Sequence, residues 1–343
     1  MNIDQAAKET AQILSNSAPY ILALSNLPWG NDLITFAQLY VQLAASVKQD
    51  RLLLDTIIQN EVQNSELQLD ILFRTTNFNI SIITSYFQLY SGVYIQKVIG
   101  PVIRKIIKKN RSCDINKNSK KVAKHTKNLY KATSSILNAI VTFNPKDQLL
   151  APLRYACYRI YDTAEKLRPG LGIPSVAVFF MLRLIGPILT KNCVNNNSKA
   201  ARSLILVAKL LQCMCNNSLP NEEYLGPLHP FIVKGGWRLN LYLQELSSSQ
   251  SVNFSSTNII FNTKDCITMV NLFMPYWPIL RLNIKTYVFY DTLCKNIELL
   301  SKIKVLETGE RTHVILRGSL IIDKKEKSKL ERNLTGTIIL KKQ

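Results

Sequence analysis

The stretch Val176-Ala177-Val178-Phe179-Phe180-Met181-Leu182-Arg183-Leu184-Ile185-Gly186-Pro187 decides how this chain folds. Its first seven residues are apolar on every helical face, the pattern of a helix enclosed by other helices. Arg183 interrupts that pattern. A guanidinium among hydrocarbons is costly unless its five donors are used, so the placement predicts a clamp on backbone carbonyls of a neighbouring loop. Taken alone, an arginine whose stem runs along a helix edge with its head in water fits equally well.

Outward from this stretch, helical periodicity continues in both directions. Leu33, Phe36, Tyr40, Leu43 and Val47 recur at three and four, predicting a helix over 33–62 that opens at Asn31 or Asp32. Residues 80–107 imply two helices split around Gly100, with Pro101 in a first turn. Further helices are expected over 149–168, 175–189, 199–217 and 233–246. The serines of 247–257 read as a linker, and β-like runs follow at 313–322 and 334–340. The expected fold class is all-α: a helical extension over 1–50, a helical domain over 51–246, and a small mixed C-terminal region with a few β-strands over 247–343.

Composition narrows the function classes. At 47% hydrophobic and 19% charged the chain is globular, not disordered. Its 43 basic against 23 acidic residues give a net charge of +20, which attracts an acidic partner without choosing one. Seven cysteines without framework spacing suggest reduced thiols, and three scattered histidines offer no zinc site. No signal sequence opens the chain, and the apolar stretch 173–189 contains Arg183 and Pro187, so a cytoplasmic location without a membrane span is expected. Residues 104–131 carry eleven Lys or Arg and one acid, Asp114. They read first as a solvated helix face, and otherwise as peripheral contact with an anionic inner membrane face. Tyr130 is the one aromatic there, too few for specific nucleic-acid stacking.

No glycine-rich phosphate loop and no nucleophile signature is present, so chemistry supplied to a partner is the remaining catalytic option. In Leu69-Asp70-Ile71-Leu72-Phe73-Arg74-Thr75-Thr76-Asn77 an apolar anchor precedes turn-forming and capping residues. Arg74 is thereby placed at the tip of a tethered loop, where an ordinary surface cation is the plainer reading. On the helix 200–216, Arg202, Lys209 and Asn216 recur every seven residues as a polar stripe opposite Leu204, Val207, Leu211 and Cys215.

At these residues the chain resembles the GTPase-activating domains for Ras-type small GTPases. Leu72-Phe73-Arg74 with the run through Tyr86, Tyr94 and Gly100-Pro101 carries the first block. Pro152-Leu153-Arg154 leading to Met181-Leu182-Arg183-Leu184-Ile185-Gly186-Pro187 carries the second, close to the family's F-L-R-[FL]-I-x-P. Ala201-Arg202-Ser203-Leu204 through Lys209, Asn216, Glu223-Tyr224-Leu225 and Pro230-Phe231-Ile232 carries the third. The departures are Met181 for phenylalanine, Pro187-Ile188-Leu189 for P-A-[IV], a shortened 190–199 segment, and Phe78-Asn79-Ile80 for L-A-[ST].

The resemblance implies a helical GTPase-activating domain over 51–246 that stimulates GTP hydrolysis by a GTP-bound Ras-family partner. It implies that Arg74 is the arginine finger and that Arg183 steadies the finger loop. Phe73, Thr75, Lys209 and Asn216 then contact the GTPase. It also implies no cofactor for this chain, since GTP and Mg²⁺ belong to the partner. A GAP-fold scaffold that binds without stimulating hydrolysis, and a polyanion binder acting through 104–131, remain alternatives.

Overall fold

Twice along the chain an apolar helix meets a Gly-Pro step, and both times it widens to accommodate it. In a regular α-helix the proline ring would strike the carbonyl four residues back. Here the turns Ile95–Ile99 and Phe180–Ile185 are π-helical, and the amides of Gly100 and Gly186 reach the carbonyls of Ile95 and Met181. That bond brings the carbonyl close to each glycine. A Cβ at Gly100 would lie 3.1 Å from the Ile95 oxygen, and one at Gly186 would lie 2.8 Å from the Met181 oxygen. A side chain at Gly186 would force the backbone to shift, and one at Gly100 would need the Ile95 carbonyl to give by a few tenths of an ångström. The expected break at Gly100 is a widened turn inside one continuous helical run.

The computed structural model describes residues 2–65, 72–115, 121–191, 199–248, 259–308, 311–316 and 337–338. Two compact units result, one from residues 1–57 with 256–343 and the other from residues 58–255. The first begins with α1 (Ile3–Ser15), α2 (Ala18–Ser25) and α3 (Leu33–Ser46). After α4 (Asp50–Asn64), the second contains α5 (Phe78–Tyr94), α6 (Gly100–Lys109), α7 (Val122–Val141) and α8 (Ala151–Leu167). It continues through α9 (Gly172–Phe179), α10 (Gly186–Lys191), α11 (Lys199–Cys215) and α12 (His229–Leu246). Among the described residues of 51–246 there is no strand, so this region is all-α.

The helix expected over 33–62 is two helices. Lys48 adopts a left-handed φ of +60°, its amide bonds to Ala45 O, and the Gln49 amide bonds to Ala44 O at 2.8 Å. This paired capping usually uses glycine, which is why the break is silent in the sequence.

The chain returns to the first unit with α13 (Thr263–Phe273), α14 (Trp277–Ile284) and α15 (Tyr290–Ser301), helices that the sequence reading did not anticipate. α13 packs on α1 and α3, and α15 on α1. Trp29 and Phe36 meet at 4.3 Å between ring centroids, Phe273 joins Phe36 at 6.2 Å, and the Tyr40 hydroxyl donates to Leu14 O. β1 (Ile303–Thr308) and β2 (Arg311–Leu316) pair antiparallel, with β3 (Thr337–Ile338) parallel to β2. The expected runs at 313–322 and 334–340 therefore overlap β2 and β3, while β1 lies before them. The serine-rich stretch from 249 to 257 lies outside the described residues.

At the centre of the second unit, Val176, Phe179, Phe180, Ile185 and Leu189 are at most 1% exposed. By length and composition Gly172–Thr190 could cross a bilayer, but 61% of it is buried inside the protein, as a core helix is. The Gly186→Ala variant should be destabilised by about 1–3 kcal/mol despite alanine's better helix propensity. Denaturant unfolding that showed a stabilised variant would mean the widened turn relaxes without cost.

Candidate functional site

Arg183 lies on the widened turn and reaches out to the loop before α5. Its Nε donates to Phe73 O at 2.7 Å and its Nη2 to Thr75 O at 3.1 Å, so the two bonds straddle Arg74. Arg183 is half-buried, not enclosed as the apolar pattern suggested. Burial lowers its pKa, and the nearby Glu61 carboxylate opposes that shift.

The loop itself is held in an unusual conformation. Phe73 has φ of +58°, a strained value for a bulky side chain. Two contacts hold it there: the Arg183 bond to its carbonyl, and its fully buried ring edge-on to Phe179 at 5.5 Å. Phe179 in turn packs on Phe87 at 4.6 Å. Leu72 is also fully buried, whereas Ile71 of the expected anchor lies outside the described residues. Arg74 and Thr75 are exposed, and among the described residues Arg74 makes no hydrogen bond or ion pair.

On the far side of the loop, Asn77 caps α5 by accepting from the Ile80 amide at 2.9 Å. Its Nδ2 donates to Glu61 Oε2 at 3.1 Å, and Asn79 Nδ2 donates to the same oxygen at 3.2 Å. Glu61 is 4% exposed, so α4 contributes a buried carboxylate that these amides compensate. Asn79 belongs to the Phe78-Asn79-Ile80 departure, and its side chain joins this network with Asn60 and Glu61.

Beside the loop is a cavity of about 530 Å³ lined by Arg74, Ile173, Pro174, Val178, Asn216 and Asn217, with Asn240 and Gln244 from α12. Asn217 ends α11 with φ of +48° and accepts from Asn240 Nδ2 at 2.8 Å. α11 and α12 approach closely enough that a Cβ at Gly236 would lie 2.9 Å from Met214 O. Leading into α9, Glu165 accepts from the amides of Gly170 and Gly172, each at 2.9 Å, and these bonds hold its carboxyl below the ordinary 4.5.

Of the residues singled out in the sequence, Arg74, Asn216 and the Arg183-bound carbonyls of Phe73 and Thr75 therefore surround one loop and its adjoining cavity. Lys209 is placed otherwise. Its ammonium pairs with Glu222 in the segment after α11, and that bond raises its pKa. Sequence reasoning missed Glu61, Asn217, Asn240 and Gln244. A lone acid between Ile58 and Val62 on an apolar helix face was the available signal for Glu61.

No model of a known protein family matches the chain. The chain is similar to the "Probable Ras GTPase-activating-like protein ngap" of Dictyostelium discoideum, at 24% identity over 216 residues. The match covers 57% of this chain and 24% of that protein, so the chain spans about a quarter of the relative's length.

Arg183→Lys keeps the charge but loses the fork, and Arg183→Ala loses both bonds. Unfolding free energies should fall by about 1–2 and 2–3 kcal/mol respectively, with faster amide exchange in 72–77; a melt superimposable on the parent's would remove the clamp. Because the Glu165 pKa is depressed, its contribution is present at neutral pH and lost as pH falls below 4.5. Protection of the Gly170 and Gly172 amides relative to their intrinsic exchange rates should fall over that range, and Glu165→Gln should abolish that change in protection.

Proposed function

We propose that this chain stimulates GTP hydrolysis by a Ras-type small GTPase, with Arg74 inserted into the partner's active site. The observation that carries the reading is the pair of Arg183 bonds to the carbonyls on either side of Arg74. An exposed guanidinium without a described partner, on a backbone fixed from both sides, is pre-organised for insertion. The similarity to a Ras GTPase-activating-like protein supplies the partner class.

Hydrolysis builds charge on the γ-phosphate oxygens, and a guanidinium brought in from outside stabilises it while displacing water. For small-GTPase activators as a class the effect is about 10³–10⁵-fold in kcat. Phe73 and Thr75 set the loop's height, and Asn216 sits across the cavity to meet the partner's switch surface. Val233, Trp237 and Leu241, spaced four apart on α12, are 64%, 65% and 45% exposed, an apolar stripe suited to a protein partner. GTP and Mg²⁺ would be the partner's, no cofactor would be needed here, and the reaction would run in the cytoplasm or at the inner membrane face.

A scaffold that binds without stimulating hydrolysis is the second reading. The Lys209–Glu222 pair favours it, since that cation is engaged within the chain. Single-turnover GTP hydrolysis by a panel of Ras-family GTPases separates the two. Arg74→Ala should abolish most stimulation while leaving unfolding within about 0.5 kcal/mol of the parent, as surface substitutions do. Undiminished stimulation by Arg74→Ala would overturn the finger assignment; binding without stimulation by either protein would select the scaffold.

A further inference from the structure

The described parts of the basic segment, residues 104–115 and 121–131, set four of their exposed cations around one pocket. α6 and α7 enclose a cavity of about 310 Å³, and Lys105, Lys109, Arg111 and Lys131 all line it. Among the described residues no carboxylate does. Asn128, Ser134 and Ser135 add uncharged hydrogen-bonding groups to the same wall. Cations in the last turn of a helix are ordinary, because they complement its negative end, and Lys109 fits that account. Arg111 and Lys131 do not, since one follows the helix and the other belongs to α7.

The wall that carries Arg111 is fixed. Asn110 takes a left-handed φ of +40°, and its side chain accepts from the Ala200 amide at 3.1 Å. The Ser203 hydroxyl accepts from the Cys113 amide at 3.1 Å and lies 3.0 Å from Arg111 O. Asn128 Nδ2 donates to Ser112 O at 2.9 Å. Opposite, Tyr130 packs against Phe231 at 4.6 Å. Four like charges around one cavity repel each other, and among the described residues no acid pairs with any of them. An anion would relieve that repulsion.

We infer that this cavity binds a compact anion carrying two or more phosphate groups, either free or as the headgroup of a lipid. The Arg111 fork and three ammonium groups suit several phosphate oxygens at once. The volume sits at the small end of ligand sites, and one wall aromatic is too few to stack a nucleic-acid strand.

The test titrates the full chain calorimetrically with inositol hexakisphosphate and with pyrophosphate at about 0.15 M ionic strength. Two double variants are compared, Lys109→Gln with Lys131→Gln in the cavity, and Lys8→Gln with Lys295→Gln as an equal loss of charge elsewhere. Thermal unfolding shows that both variants are folded. Saturable binding of inositol hexakisphosphate by the parent and the control, weakened about tenfold or more in the cavity variant, is the expected result. Equal weakening in both variants would reduce the effect to bulk charge, and absence of saturable binding would overturn the site.

Phosphatidylcholine vesicles with and without phosphatidylinositol bisphosphate distinguish the sources. Recruitment that needs the bisphosphate, and is competed by inositol hexakisphosphate, identifies a membrane lipid. Soluble binding without recruitment identifies a free ligand of the same cavity.

Discussion

The two hydrogen bonds from Arg183 to the carbonyls of Phe73 and Thr75 are the constraint on which the candidate site depends. They join residues more than a hundred positions apart, and they act on backbone, so they fix a conformation independently of the side chain between them. A buried aromatic at φ of +58° would relax if it were held from one side only. Phe179 supplies the second hold by packing, and it sits on the same helical run as Arg183. One apolar helix thus supports the loop through both its ring contacts and its single charge.

Parts of this arrangement were legible in the sequence for definite reasons. An arginine within a continuous apolar run is conspicuous, because burial makes a charged group specify its partners, and the clamp on a loop followed from that. Asn77 was recognisable as a capping residue, and it caps α5. Gly100-Pro101 was read as a split between two helices, but a widened turn preserves the helix, a solution local propensity does not distinguish from a stop. Lys48 ends α3 in a conformation that glycine ordinarily marks, so nothing in the residue type announced it. Asn240 and Gln244 were invisible for another reason. They reach the cavity only because two glycines let α12 lie close against α11, and that proximity is a property of packing.

The basic residues divide by environment more than by number. Lys209, the cation that the polar stripe on α11 recommended, is paired by Glu222. Lys105, Lys109, Arg111 and Lys131, which read as a wet helix face, converge on a cavity that no acid among the described residues lines. Sequence spacing assigns residues to a face of one helix; whether that face meets solvent, a carboxylate or other cations is decided by the neighbouring helix. The same holds for the terminal segments, whose helices share a core although some two hundred residues separate them in the chain.

The widened turn at Phe180–Ile185 amounts to one residue more than a regular helix needs over that span. Winding the same residues into a regular α-helix would restore a uniform ladder and would look, locally, like an improvement. It would also rotate everything beyond the turn by about 100° about the helix axis. Leu184, Ile185 and Leu189 would turn away from the core as the guanidinium turned away from its carbonyls. The irregularity works as a phase shift between the two halves of one helix, letting each half face the surroundings its residues require.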